Sequence, residues 1–341
     1  MRTIDIGEGG GQLLRTALGL SVATNTAVRL ENIRESRPDP GLKPQHAAVV
    51  SVLKSIANAS VTPYSIGTET LTFEPTTPRG GSYEYDIGTA GNVFLLFDAV
   101  LPLAFSLTEP LSVHVSGGTD TKWAPTSHFY QTVKLPLIRQ FSINVYGDVD
   151  QYGFYPKGGG KATIQLLPST PTPVDLSHAA QFTRARIYSL ETTTLSGAEV
   201  ATRQAETLHD GLRDRNLPID EVQRITVSAS SPGSAITLQA EGPDSIAGFS
   251  TVGEKGTPAE AVANTCLKAF DSFMKTPGAV DPHSADQVIP ILALTGGQLR
   301  IGQTTSHIDT LLDLLDTFGA EYEKTSRADS CELVFTGLLH S

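Results

Sequence analysis

The sequence predicts a mixed α/β (α+β) protein: three helix–strand–helix–strand–strand units form a large domain, with a small α/β domain inserted before the third unit. Three observations predict it. Helix-like and strand-like segments alternate along the chain, their order recurs three times, and one Pro-flanked stretch breaks the recurrence between the second and third occurrences. At 341 residues the chain also exceeds a typical single domain.

The strand candidate TIDI (3–6) leads into Gly-rich GEGGGQLLRTALGLSV (7–22), which opens a helix. The strand AVRLENI (27–33), a polar loop, the helix KPQHAAVVSVLKSIANA (43–59) and the strands VTPYSI (61–66) and LTFEP (71–75) complete the first unit. The second has the helix GTAGNVFLLFDAVLPLAFSL (88–107), the strand LSVHVSGG (111–118), the helix TSHFYQTVKLPLIRQF (126–141) and the strands SINVYG (142–147) and KATIQLLP (161–168). The third has ADQVIPILALTG (285–296), QLRIGQ (298–303), SHIDTLLDLLDTF (306–318), EYEKTS (321–326) and CELVFTG (331–337).

After the Pro-rich PSTPTPVDL (168–176), read as a linker, and before KTPGAVDP (275–282), the pattern fails. FTRARIYSLETTTL, RITVSAS and AITLQAE alternate like strands, while GAEVATRQAETLHDGLRDR and PAEAVANTCLKAFDSFM are amphipathic. The expected division is a large domain of residues 1–175 and 278–341 with an insert at 176–277.

The net charge of −11 argues against broad, non-specific nucleic-acid binding, but leaves room for a local basic pocket gripping one end of a strand. No apolar run reaches membrane-spanning length, and the N-terminus has no basic region followed by an apolar stretch. A cytoplasmic protein with no membrane partner is expected. Cys266 and Cys331 have apolar neighbours, and are read as buried thiols rather than a disulfide or metal pair.

A histidine stands where the loop enters the second helix of every unit: His46, His128 and His307. Either the position caps a helix three times, or one loop carries chemistry. At the third, Ser306 is an N-cap candidate and Asp309 follows at capping-box spacing. His307 would then lie among unpaired N–H groups at the positive end of a helix, where anions bind and a neutral imidazole is favoured. Two readings stay open: a surface histidine flanking a cap, or a nucleophile or general base beside a phosphate.

GEGGGQ (7–12) follows a strand and precedes a helix, a context in which backbone N–H groups can cradle phosphate. It is neither a Walker A loop nor a dinucleotide fingerprint. Glu8 inside it is either a solvent-facing turn residue or a ligand of Mg²⁺ bridging phosphate oxygens. SGGTD (116–120) and GFYPKGGG (153–160) offer further exposed backbone, with Lys157 as a cation, and RESRPDPGLKPQH (34–46) gathers Arg34, Arg37, Lys43 and Gln45. Asp86, Asp120, Asp281 and Asp286 are scattered metal-ligand candidates without diagnostic spacing. The residues alone thus indicate an enzyme or binder of phosphorylated substrates.

Taken together, GEGGGQLLRTALGLS, RPDPGLKPQH, GTAG, SGGTD, GFYPKGGG, VGEKG, ADQ and the terminal SHIDTLL resemble the RNA 3′-terminal phosphate cyclase family, in the family's order and over almost the whole chain. The resemblance implies three repeats of two helices and a four-stranded sheet, with a small α/β insertion before the third repeat. It implies that RNA 3′-phosphate ends become 2′,3′-cyclic phosphates with ATP and Mg²⁺ (or Mn²⁺), through a covalent histidine–AMP and an RNA adenylate. Carried over by position, His307 is the nucleophile and Glu8 holds the metal. Arg15, Arg37 and Gln45 contact phosphates. His283, Ser284, Ala285, Asp286 and Gln287 match the ATP-binding stretch, with Pro125 a second wall for the adenine. His283 stands where an aromatic is common in the family, and Asp98 replaces a glutamine seen in many members. The competing readings are a non-catalytic relative acting in ribosome assembly, whose kind lacks the histidine, and an enolpyruvyl transferase, for which the chain is too short.

Overall fold

The computed structural model describes residues 1–302 and 304–339; Gln303, the last residue of the third unit's first strand candidate, lies outside them. The chain begins β1 (Arg2–Asp5), α1 (Gly10–Ala23), β2 (Val28–Glu31), α2 (Pro44–Ile56), β3 (Ser60–Val61) and β4 (Leu71–Glu74). It continues with β5 (Gly81–Asp86), α3 (Val93–Val100) and β6 (Leu111–Gly117). Next come α4 (Ser127–Phe129), a π-helical turn (Tyr130–Lys134) and α5 (Leu135–Arg139), then β7 (Val145–Gln151) and β8 (Gly160–Leu166). After β9 (Val174–Leu176) come β10 (Arg184–Thr192), α6 (Val200–Arg213), β11 (Ile219–Val227), β12 (Ser234–Glu241), β13 (Ile246–Val252) and α7 (Ala259–Phe273). The last elements are α8 (Pro282–Thr295), β14 (Gly297–Ile301), α9 (Ser306–Phe318), β15 (Tyr322–Ser326) and β16 (Cys331–Phe335).

This is the mixed α/β architecture that the alternation of elements predicts. Three four-stranded sheets share one order, β1-β2-β4-β3, β5-β6-β8-β7 and β9-β14-β16-β15. In each, an edge strand runs parallel to the next, with Ile4 opposite Leu30, Tyr83 opposite Val113 and Val174 opposite Gly297. The remaining pairs are antiparallel. β6 shows why such strands form here: Leu111, Val113 and Val115 are buried while Ser112, His114 and Ser116 face outward, the period of two that pins register.

The leading edge strand is what the sequence pattern left out. β5 was not read as a strand, and β9 lies in the stretch read as linker. Val174–Leu176 instead pairs with Gly297–Leu299, so the third sheet takes its first strand from before the interrupting segment. A three-residue strand is too short to show alternation in sequence.

The interrupting segment forms the fourth sheet, β11-β10-β12-β13. Its core gathers Ile187, Leu208, Ile236, Leu238, Cys266 and Phe270, with α6 and α7 packed on one face. The other face meets the π-helical turn and α4. Thr126 and Thr237 hydroxyls are 2.8 Å apart, and the bare Cα of Gly248 on β13 faces Phe129 and Val133. Cys266 and Cys331 are both buried free thiols, as expected. No helix among the described residues is long and apolar enough to cross a membrane.

Candidate active site

A cavity of about 810 Å³ opens where α1, α3, the π-helical turn, α8, the start of α9 and the β13 edge of the fourth sheet converge. Its floor is polar. Lys134, the last residue of the π-helical turn, is 1% exposed, and its Nζ lies 3.1 Å from Asp98 Oδ1 and donates to Gln287 Oε1. Arg15, from α1, is a second, half-buried cation beside the same carboxylate. Burial lowers both pKa values and the Asp98 charge works against that fall. The Tyr130 hydroxyl, also buried near Asp98, is held well above the usual phenol range by burial and by that negative charge, so it stays protonated. π-turns of this kind concentrate at functional sites because they turn a side chain out of helical phase.

α8 supplies one wall by helical arithmetic. His283, Asp286, Gln287 and Pro290 line the cavity, the spacing of one helix face. Ser284 and Ala285, expected with them, fall on the opposite, buried face and do not line it. The Ser284 backbone N–H instead donates to the N-cap carboxylate of Asp281 at 2.9 Å, and its hydroxyl to the same group at 2.6 Å. Burial raises the Asp286 carboxyl, opposed by the charges of His307 and His283, both of which face the cavity with it.

His307 is in the first turn of α9. The cap is Thr305, not Ser306: the Thr305 hydroxyl accepts from Ile308 N at 3.3 Å. Asp309 closes no capping box with Ser306, and its carboxylate instead meets Lys324 Nζ at 2.8 Å. The shift follows from Thr305 having the extended backbone a cap needs, which leaves Ser306 as the first helical residue.

Around the N-terminus of α1 the other expected residues are arranged less tightly. Glu8 is exposed in the preceding turn, with no ion-pair partner among the described residues. The Arg37 guanidinium is exposed and lies 3.7 Å from where a Cβ on Gly10 would sit. Gln45 Nε2 donates to Asn92 O at 3.1 Å. Glu8, Arg37 and Gln45 do not line the cavity, whereas Arg15 and Pro125 do. His46 backs onto Arg15: a Cβ on Gly11 would be 2.4 Å from His46 Nε2 and 3.1 Å from Arg15 Nη1. Its Nδ1 accepts from Lys43 N at 3.2 Å, the capping role allowed for it. Burial, then Arg15, Arg34 and Lys43, lower the His46 pKa to about 3, so the ring is neutral near pH 7.

Three of the scattered carboxylates hold turns. Asp86 accepts from Gly88 N at 2.8 Å, Asp120 from Ser127 N at 3.0 Å, and Asp281 caps α8. Burial lifts Asp120 to about 6 in spite of its hydrogen bonds. The described residues contain no group of three or more His, Cys, Asp or Glu able to hold a metal. Gly153 and Gly160 pack backbone to backbone: a Cβ on Gly153 would meet Gly160 N at 2.3 Å. Lys157 is exposed and does not line the cavity.

Sequence reasoning missed Lys134, Trp123 and the wall formed by Ser250, Thr251 and Val252 of β13. The β13 signal was present, a β-branched and aromatic run after the turn EGPDS. Lys134 gives none, because a lysine within an amphipathic stretch reads as surface.

A family profile described as RNA 3′-terminal phosphate cyclase matches residues 6–323. The chain is 39% identical over 330 residues to the RNA 3′-terminal phosphate cyclase of Halobacterium salinarum, covering 93% of this chain and 95% of that one. It is 37% identical over 303 residues to the protein of that name from Archaeoglobus fulgidus, covering 89% of each. For the Pyrococcus furiosus cyclase the identity is 34% over 313 residues, covering 92% of this chain and 91% of the relative. With the profile spanning nearly its full length, the chain belongs to the RNA 3′-terminal phosphate cyclase family.

Proposed function

We propose that the protein converts RNA 3′-phosphate ends to 2′,3′-cyclic phosphates at the expense of ATP, with His307 as the covalent nucleophile. The observation that supports this most is the company His307 keeps. One cavity holds an imidazole on a helix's first turn, a buried lysine and a half-buried arginine sharing a single carboxylate, and an acidic residue whose pKa burial raises. That is an arrangement for gathering negative charge around a phosphorus atom.

In the first step an unprotonated His307 nitrogen attacks the α-phosphorus of ATP. The N–P bond forms, the bond to the bridging oxygen breaks, and pyrophosphate leaves. In the second, an oxygen of the RNA 3′-phosphate attacks the same phosphorus and expels the imidazole, leaving RNA capped by AMP through an anhydride. In the third, the 2′-hydroxyl attacks the 3′-phosphorus, loses its proton, and AMP departs with the anhydride electrons. Each step replaces one hard displacement by an easier one. Arg15 and Lys134 are placed in this scheme to bind phosphate oxygens, with Gln287 and Asp98 fixing the lysine. His283 and Pro125 are the expected flat faces for the adenine.

A single free carboxylate, Glu8, fits Mg²⁺ or Mn²⁺ held otherwise by phosphate oxygens and water, the usual habit of Mg²⁺ at nucleotides. Such an ion would neutralise charge on those oxygens. Arg37 and Gln45 would meet the phosphates nearest to α1. The large domain of residues 1–175 and 278–341 would carry this chemistry, with the 176–277 insert closing one side. Membrane attachment plays no part in the scheme, and a cytoplasmic setting suits the substrates.

The direct test incubates the protein, Mg²⁺ and ATP with an oligoribonucleotide ending in a 3′-phosphate. The account expects an end resistant to phosphatase and lighter by one water. An end that stays phosphatase-sensitive while RNA is bound favours the non-catalytic relative.

A further inference from the structure

Trp123 is the only tryptophan of the chain and is 95% exposed at the mouth of the cavity. A large aromatic facing water needs a reason, and here the backbone is arranged to keep it there. Its φ is +60°, a region bulky side chains rarely adopt. The loop carrying it is stapled at both ends by one buried side chain: Asn92 Nδ2 donates to Thr119 O, Thr121 Oγ1 and Pro125 O, each at 3.2 Å. The ring therefore projects from a loop whose two ends are tied together through Asn92. Its neighbour Lys122 has Nζ 5.7 Å from the ring centroid and 2.5 Å from Glu254 Oε1, a bridge to the segment after β13. Ser250, Thr251 and Val252 stand in the same mouth.

We propose that Trp123 is the stacking platform for the 3′-terminal base of the RNA, with the Ser250–Glu254 edge of the inserted domain as the facing wall. The inference rests on the cyclase reading and deepens it. A terminal phosphate that reaches His307 leaves its nucleoside within about one nucleotide of it, at the mouth rather than the floor. The net charge of −11 gives the molecule little general attraction for a polyanion, so local contacts must hold the strand. Stacking on an aromatic face is the sequence-tolerant contact available, because every base has such a face. The inserted domain thereby gains a role in RNA binding as one side of the entry slot.

The lone tryptophan makes the test specific. Its fluorescence is followed, without ATP, as the full-length protein is titrated with a 3′-phosphorylated oligoribonucleotide. The titration is repeated with the same oligomer lacking its terminal base, and with ATP alone. Affinities of Trp123→Ala and Trp123→Phe come from the anisotropy of a 5′-fluorescein oligomer. The expectation is saturable quenching by the intact oligomer only, RNA affinity about tenfold weaker in Trp123→Ala, and recovery in Trp123→Phe. Equal quenching by the abasic oligomer, quenching by ATP alone, or an unaltered affinity in Trp123→Ala overturns the proposal. The cyclase reading fails separately, through wild-type protein that forms no cyclic end.

Discussion

Lys134 and Asp98 form an ion pair of 3.1 Å at the cavity floor, their side chains 1% and 16% exposed. Lys134, buried this deeply, cannot fall back on water. Asp98→Ala leaves Lys134 as a buried cation without its carboxylate, beside half-buried Arg15, and a loss of about 3–5 kcal/mol in stability is expected. Adding Lys134→Met to that variant recovers most of it. Urea unfolding of the three proteins measures both quantities. A cost below about 1 kcal/mol, the range of exposed pairs, contradicts the buried assignment.

Gly11→Ala tests the packing behind Arg15, which the proposed scheme sets against phosphate. The new methyl meets the His46 ring at 2.4 Å and the Arg15 guanidinium at 3.1 Å, so one of them moves. A shift of about 1 Å at such a site costs on the order of a hundredfold in rate. Single-turnover nucleotidyl transfer should fall accordingly while the melting temperature changes only modestly. A rate equal to wild type means that the Arg15 position does not govern the chemistry.

Much of this was legible in the sequence, for identifiable reasons. α1 follows a Gly-rich run, α8 opens on Asp281-Pro282, and α9 has a clear apolar face. His307, Arg15, His283, Asp286 and Gln287, which line the cavity, are the residues that motifs and resemblance point to. Three things were not legible. β9 is too short to alternate, Ser284 and Ala285 turn away through helical phase that a contiguous motif hides, and Lys134 owes its burial to a π-turn and distant packing. The Thr305 cap lies one residue before the expected Ser306, the usual uncertainty of helix ends.

His128 makes a pH prediction. Its ring is stacked between Tyr188 at 5.1 Å and Tyr152 at 6.2 Å, and burial lowers its pKa from 6.5 to about 4. Because folding lowers this pKa, the unfolded chain takes up the proton first. Stability is therefore full above about pH 6.5 and falls as pH drops towards 4, by about 3 kcal/mol from this residue. His46 acts in the same direction with its pKa near 3. His128→Phe keeps the stack and removes the proton site, so unfolding free energy should fall less steeply between pH 6.5 and 4.5. An unchanged slope contradicts the assignment.

Gly248→Val probes how the fourth sheet is docked. A Cβ at this position would lie 2.7 Å from both Phe129 and Val133, and two further methyls cannot be accommodated without separating the faces. The expected outcome is weaker docking without loss of either core, seen as two calorimetric transitions where the wild type has fewer, and faster proteolysis near residues 168–182. A single transition at the wild-type temperature contradicts it.

The central claim is that His307 becomes covalently bonded to AMP. Protein, Mg²⁺ and ATP labelled on the α-phosphate are combined without RNA, then resolved under denaturing conditions beside His307→Ala. The account predicts acid-labile label on the wild type and none on the variant. Equal label on both, or none on a wild type that still binds ATP, contradicts it.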